Sequence, residues 1–130
     1  MKILPHPVLL HFPIAFYFLE LLFLLRWAVK GDPAYERFAV IVFKIGYCFM
    51  LAALLTGLFD AGWLRDANPP TWRHFYAASA VFVFYTGRAF YLKVADRMTG
   101  SYMFFQIAGA LAGNLILAAA AYFGGRLVYS

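Results

Sequence analysis

The stretch HPVLLHFPIAF at residues 6–16 sets two imidazoles, His6 and His11, beside two prolines where an apolar run begins. A third histidine, His74, follows Arg73 at the start of another apolar run, and Asp60 stands near the end of the run between them. Neutral imidazole ligates copper, zinc and iron, either as bare ions or as the iron of a haem. Ionisable residues within apolar spans are rare, usually face the interior of a bundle and mark functional sites. Hydrolytic chemistry has no support: H-E-x-x-H, G-x-S-x-G and P-loop patterns are all missing from the sequence.

Spacing sorts the histidines. His6 and His11 are five residues apart, which in a regular helix separates them by about 7 Å in depth and about 140° in azimuth. They are poor co-ligands unless the first turn is irregular. His11 and His74 each lie about one turn into their helices, so the spacing predicts that they face each other at one depth across the bundle. Pro7 suits the first helical position, where the missing N–H has no partner to lose. Pro13 lies two turns further in, where it frees the carbonyl of Leu9 and bends the helix, aiming His11 inward. The blander readings are an interfacial cap for His6 and hydrogen bonds to a helix or water for His11 and His74.

Those side chains must be held by membrane helices. Apolar residues make up 65% of the 130 and charged residues 13%, against about 25% charged in a soluble domain. Runs of about 20 apolar residues mark spanning helices, and four occur, at 7–29, 38–63, 72–94 and 102–127. The expected fold is all-α: one integral membrane domain over 1–130, a four-helix bundle running up-down-up-down in the lipid bilayer. Only Lys2 precedes the first run and no A-x-A-like site follows it, so it does not read as a cleavable signal peptide. The single cysteine, Cys48, excludes an internal disulfide and reads as a packing residue.

The net charge of +5 does not signal nucleic acid, because the basic residues cluster at span ends. Arg26, Lys30, Arg37, Lys93 and Arg97 lie on one side, Lys2, Arg65, Arg73 and Arg126 on the other. The positive-inside rule then puts the first and third loops in the cytoplasm and both termini outside, as expected for a multi-pass protein of a bacterial inner membrane. All three histidines fall in the outer leaflet. Within the spans, Glu20 is about 20 Å below the outer end of the first helix and Lys44 about 10 Å above the inner end of the second. In a core about 30 Å thick these depths coincide, so a Glu20–Lys44 pair is expected as an interhelical staple. Arg88, nearer the inner interface, is expected to snorkel, and Gln106 and Asn114 to join interhelical hydrogen bonds.

HPVLLHFPIAF, then TGLFDAGW with Thr56, Gly57 and Asp60, then His74, resembles in order the pattern of small bacterial four-helix membrane proteins known only as an unknown-function domain. That group is distantly similar to four-helix b-type cytochromes, in which histidines on different helices hold haem. The resemblance implies a single haem b on His11 and His74, with Arg73 near a propionate and Gly57 in the space around the ring. It also implies electron exchange with a quinone or a periplasmic redox protein. Two haems are excluded, since the inner half of the spans holds no histidine. Two other readings remain open. One is a module in which His6, His11, His74 and Asp60 hold a copper, zinc or iron ion. The other is a structural small subunit of a homo-oligomer or larger membrane complex.

Overall fold

The computed structural model describes the backbone of residues 5–60 and 68–129, and side chains at 9–59, 68–69 and 71–124. Four helices account for nearly all of it: α1 Pro5–Lys30, α2 Pro33–Asp60, α3 Pro69–Val94 and α4 Tyr102–Tyr129. Their limits follow from local chemistry. Gly31 closes α1 at φ 72° and donates its N–H to the Trp27 carbonyl at 2.7 Å, the left-handed cap that glycine accepts without a Cβ penalty. Pro33 then starts α2, with the Asp32 carboxylate accepting from the Ala34 N–H at 2.9 Å. Asn68 caps α3, accepting from the N–H and the hydroxyl of Thr71 at 3.1 and 2.8 Å, with Pro69 in the first helical position. α1 runs unbroken through Pro13, which is buried.

By length and composition α1, α2 and α4 can each cross a membrane. α3 is as long as α1, 26 residues, but more polar, because it carries His74, Thr86 and Arg88 inward and Arg73 and Lys93 outward. Outward-facing positions on α1, α2 and α4 are mostly large and apolar, among them Phe18, Leu55, Phe104 and Leu115. Inside a bilayer apolar surface does not drive helices together, so close packing and polar contacts must do so.

Packing divides the bundle into two hairpins, α1–α2 and α3–α4, that repeat one pattern. Phe16 and Tyr17 of α1 press on Gly46 of α2, and Phe84 and Tyr85 of α3 press on Gly113 of α4. The α1 and α3 residues of this motif are 68 apart and the two glycines 67 apart. The buried stripe of α2, Ala39, Phe43, Gly46, Met50 and Ala53, recurs on α4 as Gln106, Ala110, Gly113, Leu117 and Ala120, each 67 residues on. α1 and α3 are parallel and meet across the centre at equal register: the rings of Tyr17 and Tyr85 stack at 3.8 Å and 9°, and Glu20 pairs with Arg88. An approximate two-fold axis along the bundle relates the hairpins, the parallel-repeat arrangement known in membrane proteins. The symmetry is imperfect, with α2 and α3 forming the loosest of the four seams.

Candidate functional site

The inward stripe of α1 steps by three and four residues through Leu10, Pro13, Tyr17 and Glu20, and that of α3 through Ala78, Val81, Tyr85 and Arg88. At the lowest of these steps Arg88 donates from both terminal nitrogens to the two oxygens of Glu20, at 2.8 and 2.7 Å. Both side chains are buried, and the guanidinium lies 4.8 Å from the Phe43 ring centre. A bidentate pair backed by an aromatic face satisfies a buried arginine well. The expected Glu20–Lys44 pair is therefore corrected. Lys44 shares the depth of Glu20 but faces outward, one residue from buried Phe43, and the carboxylate finds its partner across the axis on α3. Arg88 accordingly does not snorkel.

Polar neighbours complete this belt. Tyr47 and Thr86 join hydroxyls across the α2–α3 seam at 2.8 Å, and Asn114 donates to the Tyr17 carbonyl on α1 at 3.3 Å. Gln106 donates within its own helix to the Tyr102 hydroxyl, which donates in turn to Glu36 on α2 at 2.8 Å. Tyr17 donates to the Met50 sulfur at 3.7 Å. The Tyr85 hydroxyl is fully buried against Gly113 and has no hydrogen-bond partner among the described residues. Small residues of α4 make room for these side chains: Gly113 seats Tyr85, and Gly109 seats the Arg88 side chain.

Above the tyrosines lies a cavity of about 30 Å³. Ten of its eleven lining residues form five symmetry mates: Leu10 with Ala78, Pro13 with Val81, Met50 with Leu117, Ala53 with Ala120, and Leu54 with Ala121. The eleventh is His74. Its Nδ1 stands 3.0 Å from the Ala120 carbonyl. A carbonyl only accepts, so Nδ1 carries a proton and donates it. A Cβ at Gly124 would stand 2.8 Å from the ring, so glycine there makes room for the imidazole.

The expected ligand pair is not brought together. His11 is exposed on α1, one residue past Leu10 on the cavity face, and does not line the cavity with His74. The cavity beside His74, about 30 Å³, has room for one or two water-sized groups. Arg73 is exposed and Gly57 half-buried. The side chains of His6 and Asp60 lie outside the described residues, among which no three of His, Cys, Asp and Glu converge on a metal position. Cys48 faces outward rather than packing in the core.

The sequence model of a family described as predicted membrane protein (DUF2231) matches residues 4–130. No curated protein and no solved structure matches the chain. With nearly its whole length matched and three helices long and apolar enough to span a bilayer, the chain belongs to the DUF2231 family of predicted membrane proteins, whose function is unknown.

Proposed function

We propose that the chain is a metal-binding subunit of the membrane that holds one transition-metal ion at the histidine end of the bundle. The observation that carries this reading is His74: a histidine with its Nδ1 proton committed to the Ala120 carbonyl, on the wall of a cavity of about 30 Å³. Fixing Nδ1 in this way orients the ring and makes Nε2 the more basic ligand. A bare ion matches the space. Haem b would require α1 and α3 to part at this end. With basic loops inside, both termini and the site face the outer side of a bacterial inner membrane.

The test is a Co²⁺ titration of detergent-purified, chelator-treated protein, followed by calorimetry and visible absorption. One ion per chain, lost in H74A, supports the reading. Uptake no greater in wild type than in H74A overturns it. A second reading, a purely structural subunit of a larger membrane complex, is favoured by the fully satisfied Glu20–Arg88 pair, which ties α1 to α3. It predicts that the protein is isolated with stoichiometric protein partners and that H74A leaves that assembly intact.

A further inference from the structure

We propose that the open seam between α2 and α3 holds an anionic phospholipid, its phosphate bound by Lys44 and Lys93 with Arg37 below them. The site shares no residue with the histidine end and stands independently of the metal-binding reading. Lys44 lies eleven residues past Pro33 in α2, a helix long and apolar enough to span a bilayer, and its side chain is exposed. The 28 residues of α2 extend about 42 Å, so a centred α2 outreaches a hydrocarbon core of about 30 Å by about 6 Å at each end. Lys44, about 16 Å from the helix start, is then about 10 Å inside the apolar layer. An unpaired charge there is costly, and an ionisable residue within a span marks a site by default. Among the described residues no carboxylate pairs with Lys44, Lys93 or Arg37. The carboxylates at this end are engaged elsewhere: Glu36 with Arg97 and Tyr102, Asp32 and Asp96 with backbone N–H groups.

The three cations border one seam. Tyr47 and Thr86 join hydroxyls at 2.8 Å, which fixes the faces that α2 and α3 turn to each other. Phe49, on the other side of α2, stacks on Phe12 and Phe16 of α1. Around α2 from buried Phe43, Tyr47 is turned by about 40° and Lys44 by about 100°, both away from α1. Arg37, seven residues before Lys44, lies on the same face, and Lys93, seven residues after Thr86, lies on the Thr86 face of α3. The helices are antiparallel, so Lys44, Lys93 and Arg37 stand about 4.5, 10.5 and 15 Å beyond the hydroxyl pair towards one end of the bundle. All three are exposed, and this seam is the loosest of the four.

The two-fold repeat supplies a comparison within the molecule. The mates of Lys44, Lys93 and Arg37 in the α1–α4 seam are Leu111, Leu25 and Phe104, and the mate of Thr86 is Phe18. That seam is closed by Leu21, Leu24, Ala110 and Ile107. Apolar residues thus satisfy the same positions of the same packing, and the cations of the other seam answer to an anion at its mouth. Depth names the anion. A free phosphate ion would have to leave water to meet Lys44, at a large cost. A phospholipid brings its phosphate to the edge of the apolar layer, where lysines reach it by snorkelling, and lays its chains against exposed Leu55 and Phe82. Basic pockets between membrane helices on the cytoplasmic side bind anionic headgroups in this way.

Native mass spectrometry of the protein in mixed micelles of phosphatidylcholine and phosphatidylglycerol tests the site. Wild type should retain one phosphatidylglycerol in preference to phosphatidylcholine. K44L and K93L, which copy the leucines of the other seam, should each weaken that retention about fivefold. K30L removes an exposed cation of α1 at the same end and off the seam, and should leave retention unchanged. Unchanged helical circular dichroism and a single elution peak verify that each variant folds. Phosphatidylglycerol held no better than phosphatidylcholine, or K30L as damaging as K44L, overturns the proposal. Inorganic phosphate that binds in pure phosphatidylcholine micelles and is lost in K44L assigns the site to a free anion and overturns the lipid. A dimer that dissociates in K44L shows that a second copy covers this face, and overturns it likewise.

Discussion

Replacing either Glu20 or Arg88 by alanine removes two charge-assisted hydrogen bonds, of 2.8 and 2.7 Å, and leaves the other charge buried. Hydrogen bonds to charged groups contribute about 1.5–3 kcal/mol each, and stripping one partner from a buried pair costs about 3–5 kcal/mol. Neutral interhelical hydrogen bonds in membranes average only about 0.6 kcal/mol, so the orphaned charge dominates. E20A and R88A should each lower stability by about 3–5 kcal/mol, while E20L/R88L should lose far less than the sum. The exchange E20R/R88E tests the axis itself. Because the two positions are mates, the pair should re-form in reverse, but Arg at 20 would meet Val42, the register mate of the Gly109 that seats Arg88. The exchange should therefore recover only part of the loss, and adding V42G should recover more. Reversible unfolding in mixed micelles, read by tryptophan fluorescence, measures these differences. Additive losses in the double apolar variant, or an exchange no better than the single variants, would refute both the coupling and the symmetry.

Other expectations follow from neighbouring contacts. Y85F removes a buried hydroxyl that has no partner among the described residues and should stabilise by about 1 kcal/mol in the same assay; a loss would show that the hydroxyl is engaged. G113A places a Cβ 2.7 Å from Cζ of Tyr85 and should cost about 1–3 kcal/mol, with only partial relief in Y85F/G113A. T86V cuts the 2.8 Å link to Tyr47 across the α2–α3 seam and should cost about 1 kcal/mol. For orientation, a cysteine in place of Ala67 in a C48A background should react with an impermeant thiol reagent on spheroplasts, and one in place of Asp32 should not. The reverse labelling would put the histidine end on the cytoplasmic side.

Element types and limits were legible because apolar run length and the Gly-Asp-Pro and Asn-Pro-Pro breaks are local signals: a run expected at 72–94 is the helix Pro69–Val94. Depth along a helix is a local quantity too: Phe43, next to Lys44, meets the guanidinium that Glu20 holds. Azimuth was not legible. One residue turns a side chain by about 100°, enough to put Lys44 and His11 outside while their neighbours Phe43 and Leu10 face in. The true partner of Glu20 lies 68 residues away, a separation that no local pattern reports. The internal repeat is hidden for a related reason. Packing repeats residue size more than identity, so Met50 answers to Leu117 and Pro13 to Val81, and the mates Glu20 and Arg88 carry opposite charges. His6 and His74, Tyr17 and Tyr85, and Gly46 and Gly113 are identical in the two halves, yet they stand out only once the hairpins are seen to pack alike.

The metal-binding account meets its most direct test in the metal content and visible spectrum of the protein as isolated from membranes, determined on one sample. The account predicts about one transition-metal ion per chain, lost in H74A, and no Soret band. A Soret band that vanishes in H74A would contradict the bare-ion site and show that the bundle opens around haem, and a colourless, metal-free, fully stable protein would contradict any metal centre at His74.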